Sequence, residues 1–190
     1  MDREQTGLKK SPGRLARALR FIGALVDPRA WAHAIKLVNY YNYSHVIPRR
    51  HLTLGNSPNI SPNAVFSNPE RITIGDRVRI GARCHIWAGH ASGSIRIGDD
   101  CLFGPEVMVT AASYRYNDGA PVTAQRMDEA DVVIGNDVWL ATRAMVLPGA
   151  VIGDGAIIAA GAIVKGKIPP YAIAAGQPAR VVGTRQVPGS

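Results

Sequence analysis

Aromatic residues make up only 6% of this 190-residue chain, against 46% hydrophobic residues in all. Its core must therefore be filled by Ile, Val, Leu and Ala. Cysteine is scarcer still. Cys84 and Cys101 are the only two, which excludes a disulfide-stapled scaffold and leaves two thiols expected to behave as small buried hydrophobes. No apolar run approaches the ~20 residues of a membrane span. The apolar stretch Phe21 to Val26 is short and no small-residue cleavage site follows it, so no signal peptide is expected and the cytoplasm is the expected compartment. Acidic residues are sparse at one end only: residues 1–50 hold ten Lys/Arg against three Asp/Glu, residues 51–190 twelve against eleven. No recognised nucleic-acid motif accompanies the basic segment, so no nucleic-acid partner is expected.

What the chain has in quantity is turns, with 20 Gly and 13 Pro, and a repeat. Ile134, Leu140, Val146, Ile152, Ile158 and Val164 fall six apart, and four residues after the first five come Val138, Ala144, Ala150, Ala156 and Ala162. The same period upstream gives Ile74, Ile80, Ile86 and then Ile97, Phe103, Val109. Glycine often follows the aliphatic, as at Gly75, Gly81, Gly98, Gly104, Gly135 and Gly153. A period of six fits neither a helix nor a simple alternating strand. It fits a coil with a corner every six residues, each flat side giving one short strand with its large aliphatic turned inward. The small residue fits the tight corner, and glycine is expected there for its backbone freedom. Stacked coils then bury one continuous core that no single coil could form.

The pattern from about Ile60 to Arg185 resembles the hexapeptide-repeat acyltransferases. Its most specific parts are Ile134-Gly135-Asn136-Asp137-Val138-Trp139, Leu147-Pro148-Gly149 and the tail Ile168-Pro169-Pro170 with Ala175-Gly176-Gln177-Pro178-Ala179-Arg180. Together they are similar to the maltose, galactoside and polysaccharide O-acetyltransferase branch. The resemblance implies an all-β solenoid, a left-handed parallel β-helix, assembled as a homotrimer with active sites between adjacent prisms. It also implies transfer of an acetyl or similar acyl group from acetyl-CoA to a hydroxyl of a sugar or glycan, in surface polysaccharide or glycan synthesis. The organisation expected is a basic segment over 1–50 with two short helices, the β-helix over 51–185, and a tail over 186–190.

The rhythm breaks where Val109 and Ile134 stand 25 apart, extruding a loop over residues 110–132. A long loop in a rigid solenoid is usually functional. This one carries Tyr114, Tyr116, Asp118, Gln125 and Glu129, a polar and aromatic mixture suited to grasping an acceptor, and in the resembled family such a loop reaches toward the neighbouring subunit's active site. A smaller interruption around His90-Ala91-Ser92-Gly93-Ser94 should sit near it.

Transfer from a thioester to a hydroxyl needs a base, an oxyanion donor and a groove for the pantetheine arm. The family keeps a histidine early in the extruded loop; here Tyr114 stands in its place, and a tyrosine phenol, ordinarily near pKa about 10, is a poor base. His85, one residue before the inward Ile86, is the candidate to take over the base role, or to contact the acceptor without proton transfer; His90 is a second acceptor-side candidate. Trp139 precedes Leu140 and points outward as a platform, and the small positions Ala141, Ala159 and Gly161 are expected to expose backbone amides along a coenzyme A groove. Lys165, Lys167, Arg180 and Arg185 form the basic set suited to its phosphates.

Two readings compete. His85 and His90 echo the spacing of zinc ligands in γ-class carbonic anhydrases, which share the β-helix, but a third ligand is wanting. A decayed site kept for assembly is the other. At the N-terminus, Ser11-Pro12 resembles a helix start; Leu15, Leu19, Ile22 and Val26 follow at helical spacing, with Arg14, Arg17 and Arg20 off that stripe. Asp27-Pro28 begins a second helix with Trp31, Ala34, Ile35 and Val38 on its apolar face. Either these helices pack against the solenoid or between subunits, or residues 11–40 make a peripheral contact with the inner membrane surface. Residues 1–8 are expected to be loose.

Overall fold

The computed structural model describes residues 12–186, and its six-residue rhythm becomes a three-sided left-handed parallel β-helix. The first coil contributes Thr53–Leu54, Asn59–Ile60 and Val65–Ser67 to three faces, called A, B and C in that order. The second adds Ile72–Ile74, Arg79–Ile80 and His85–Trp87; the third Ile95–Ile97, Leu102–Phe103 and Met108–Thr110. After the extruded segment come Val132–Ile134, Trp139–Leu140 and Met145–Val146, then Val151–Ile152, Ile157–Ile158 and Ile163–Val164. A sixth coil is begun by Lys167–Ile168 and Ala172–Gly176, and the strand Ala179–Thr184 turns back antiparallel on the latter to close face B.

Every aliphatic of the repeat points inward: the twelve from Ile74 to Val164 are at most 3% exposed. Where the repeat runs on without interruption, the position four residues on is buried too, and it is here that Cys84 and Cys101 sit in place of Val or Ala. Burial pushes the Cys84 thiol up and that of Cys101 to about 11, and each donates to a carbonyl of the next coil, Gly104 and Gly135. They are packing residues with free, protonated thiols.

The corner glycines are needed for a different reason than backbone freedom. At the corner from face A to face B the left-handed conformation falls on Ser57, Arg77, Asp100, Asp137, Gly155 and Tyr171, one per coil. Gly75, Gly98 and Gly135 lie two residues earlier with ordinary φ, directly beneath the next coil. A methyl on Gly98 would come within 2.5 Å of Asn136 Oδ1 and 2.7 Å of the Gly135 carbonyl carbon. What demands that space is a side-chain ladder along the corner. The amides of Asn56, Asp76, Asp99 and Asn136 donate in turn to the Oδ1 atoms of Asp76, Asp99, Asn136 and Asp154, at 2.7–2.8 Å.

Two compact units divide between Tyr41 and Asn42, so residues 42–51, grouped by sequence with the basic segment, belong to the solenoid unit. There, Pro48 is buried and the segment packs on the first coil's face C strand, with Leu52 against the core. It covers the open end of the stack, as a solenoid terminus requires. The other unit holds helices α1 (Arg14–Val26) and α2 (Pro28–Tyr41). α1 starts after Gly13 with no side-chain cap, so the proposed Ser11 cap, like residues 1–8 and 187–190, falls outside the described residues. α2 starts as expected: Asp27 accepts from the Arg29 amide at 2.8 Å.

Candidate active site

Outward positions on face B form a row through the register Asn59, Arg79, Leu102, Trp139, Ile157, Ile173. Trp139, 45% exposed, stands between two grooves. The first, about 620 Å³, runs toward the A–B corner and is mixed, with charged pairs beside Leu102, Trp139 and Ile157: Arg77 pairs with Asp100 through two 2.7 Å bonds, and Arg185 reaches Asp137 at 2.7 Å. Its guanidiniums are thus largely matched by carboxylates of the same wall. The second, about 600 Å³, runs over the B–C corner and is apolar, floored by Ala141, Thr142, Ala159 and Ala160 and walled by Trp139 and Pro105. Nothing larger than a methyl or a threonine rises from that floor, so an extended chain could lie against the backbone.

The expected free amides are not there. Ala141 N donates to Ile158 O, Ala159 N to Ala174 O and Gly161 N to Thr142 O, all at 2.9–3.0 Å, because the coil-to-coil ladder consumes them. Gly161 O is taken as well, by Gln177 Nε2 at 2.7 Å. The groove offers shape and an indole. The four basic residues also separate: Lys167 begins the last strand of face A and Lys165 lies in the turn leading to it, while Arg180 is on the returning strand of face B and Arg185 just past its end, held by Asp137.

The extruded segment is not a formless loop. Ala112–Tyr114 and Met127–Glu129 pair antiparallel, and both interruptions of the repeat occur at the same corner, between faces C and A. The carboxylate of Glu129 fastens them together. It accepts from the amides of Ala91, Ser92 and Gly93, and this ring of donors holds its carboxyl at about 2. Gln125 closes the hairpin tip, its Oε1 accepting from the Asp118 amide at 3.0 Å and its Nε2 donating to Ala120 O at 2.5 Å. Asp118 and Asp128 flank Arg115, each at 3.4 Å. Glu129, Gln125 and Asp118 therefore already have partners within the chain. Tyr116, at the tip, and His90, on a shallow cleft with Arg126 and Met127, stay exposed.

His85 points outward from face C in the row Val65, His85, Met108, Met145, Ile163. Sequence reasoning passed over its neighbour. His45, forty residues upstream, is buried on the segment that covers the first coil, with its Nδ1 2.6 Å from Ser44 Oγ. Burial, then Arg49 and His85, lower its pKa. Only the folded segment 42–51 reveals that adjacency. Within one prism His85, on face C, and Trp139, on face B, do not share a groove, and Tyr114 sits apart on the hairpin. Among the described residues of one chain no group of three His, Cys, Asp or Glu side chains converges to hold a metal.

Two repeat families match the chain: "Bacterial transferase hexapeptide (six repeats)" over residues 131–166 and "Hexapeptide repeat of succinyl-transferase" over 71–91. A probable macrolide acetyltransferase of Lysinibacillus sphaericus is 33% identical over 136 residues, which cover 66% of this chain and 71% of that one. The chain belongs to the hexapeptide-repeat acyltransferase family. The galactoside O-acetyltransferase of Escherichia coli (strain K12) is 29% identical over 77% of this chain and 74% of its own length. A solved galactoside acetyltransferase in complex with coenzyme A superposes with a TM-score of 0.64 at 25% identity, covering 82% of this chain and 80% of that one. The chain spans only 41% and 59% of the length of two other curated relatives. As a member of the hexapeptide-repeat acyltransferases, it combines the family's solenoid with a tyrosine, Tyr114, at the loop position where the sequence resemblance leads one to expect histidine.

Proposed function

We propose that this protein transfers an acetyl or similar acyl group from coenzyme A to a hydroxyl of a sugar. The observation that carries the reading is the apolar groove that Trp139 builds with Ala141 and Ala159 on a hexapeptide-repeat scaffold. A pantetheine arm fits such a groove: it is narrow and flexible, and it needs a smooth floor and an apolar wall. Gly161, at the turn beyond, continues the line, and Lys165, Lys167, Arg180 and Arg185 are the cations available to its phosphates at the late coils. Bound there, coenzyme A supplies the acyl group as a thioester. His85 takes the proton of the acceptor hydroxyl as that oxygen attacks, and returns it to the departing thiol. Tyr114 donates a hydrogen bond near the reacting centre. His90, Tyr116 and the hairpin that Asp118, Gln125 and Glu129 hold in shape present the acceptor.

The parts lie on different faces of one prism, and this supports a homotrimer in which the hairpin and His85 of one copy meet the Trp139 groove of the next. The mostly apolar outer row of face C suits cover by another prism. Sedimentation velocity should then give three times the 20.3 kDa chain mass.

The deciding experiment is thiol release from acetyl-coenzyme A over a panel of sugars, glycan fragments and a macrolide. Wild type should turn over with a sugar acceptor. His85→Ala should lose about 10²–10⁴-fold in kcat, the range of a lost general base. Coenzyme A binding with no turnover on any acceptor would point to an acceptor outside the panel, and no binding either would argue for a decayed site. Unchanged turnover in His85→Ala would remove the base assignment and leave the groove reading standing.

A further inference from the structure

The helical unit poses a separate question. No residue of α1 or α2 is buried, although the pair carries Leu15, Leu19, Ile22, Val26, Trp31, Ile35 and Val38. At 100° per residue, Leu15, Leu19, Ile22 and Val26 lie within about 60° of one another on α1, with Arg17 and Arg20 on the far side. On α2 the apolar stripe opposes Arg29, His33 and Lys36 in the same way. The junction is built: Asp27 caps α2, and the Trp31 indole donates to the Leu25 carbonyl at 2.9 Å, satisfying the end of α1. No helix among the described residues is long and apolar enough to cross a membrane.

The charge pattern says what suits this face. Between residues 5 and 69 the only acidic residue is Asp27, already engaged as a cap, while nine Lys/Arg fall in the same stretch. A second copy of the unit would bring cations against cations. A surface rich in anionic headgroups would take the cations at its phosphates and the apolar stripe between its acyl chains. We propose that α1 and α2 dock this protein, lying in the plane of the interface, on membranes that carry anionic lipid. This rests on the helical unit alone and is independent of the acyl-transfer reading.

The test is flotation of the full chain with vesicles of phosphatidylcholine alone and with phosphatidylglycerol added. Binding should require the anionic lipid and weaken in high salt, because exposed charges are screened. Arg17→Glu/Arg20→Glu should reduce the bound fraction at least roughly tenfold, since each cation near such a surface contributes about fivefold. Leu19→Glu/Ile22→Glu should reduce it as much. Absence of binding to the anionic vesicles, or equal binding to both compositions, would overturn the proposal. So would a fall in sedimenting mass, without lipid, in Leu19→Glu/Ile22→Glu, because the face would then be an interface between copies.

Discussion

Glycine at 98 does its work by having no side chain at all. Its φ is ordinary, so alanine could adopt the backbone; the methyl could not find room between the Gly98 corner and the Asn136 side chain and Gly135 backbone above it. Relief would require two coils to part, stretching the bond from the Asp99 amide to Asn136 Oδ1. Gly98→Ala should therefore cost about 1–3 kcal/mol, the range for forced overpacking. Gly23, inside α1 with nothing within 4 Å of a built methyl, supplies the contrast. There alanine should be neutral or favourable by about 0.5–1 kcal/mol for the helix. Urea denaturation followed by circular dichroism would compare them, and equal effects would contradict the close-approach account. The next corner, from face B to face C, carries the ion cluster in which Glu106 accepts from Arg143 at 2.5 Å and from Arg83. All three residues have positive φ, so in three successive coils the left-handed position is also where the coils exchange charge.

At the scale of elements, the hairpin 112–129 shows how sequence reading reached its limit. The interruption itself was legible, because a repeat of six makes a gap of 25 conspicuous. Its internal structure was not: the two strands are three residues each, too short for period-two alternation to register. What fixes the hairpin is Glu129 meeting amides 36–38 residues earlier in the chain. Polar residues such as Gln125 and Asp118 attract a ligand-binding reading for the same reason they serve as clamps, since both roles need donors and acceptors in a loop. Glu129 also carries a pH signature. Its carboxyl is lowered from the ordinary 4.5 to about 2, so the folded state binds fewer protons than the unfolded one between those values. The stabilisation is fully present above 4.5 and is lost as pH falls toward 2. Hydrogen-exchange protection of the Ala91–Gly93 amides, corrected for intrinsic rate, should decline across that window. In Glu129→Gln it should be low throughout and nearly independent of pH.

For the whole molecule, the inward residues were the most legible part because each occupies a position where only one kind of side chain fits. The ends were the least legible, since residues 42–51 cover the stack without sharing its period and bring His45 beside His85. The solenoid's stability should follow from its one-dimensional construction. Phe103 lies in the third coil, between Ile80 and Leu140 in register, and is 1% exposed, while Leu102 beside it points out at 44%. Removing the Phe103 side chain leaves a void shared by the second, third and fourth coils. Phe103→Ala should therefore cost about 3–5 kcal/mol, a large part of the about 5–15 kcal/mol typical of a domain. Because each coil contacts only its neighbours, the damage should weaken the coupling between the two halves of the stack, and a single unfolding transition should broaden or divide. Leu102→Ala, on the same strand but the opposite face, should stay within about 0.5 kcal/mol and keep the transition sharp. Calorimetry on the two variants reads both quantities at once. Comparable losses would mean that the strand does not present these faces; a sharp, uniformly shifted transition in Phe103→Ala would mean that the coils are coupled beyond their nearest neighbours.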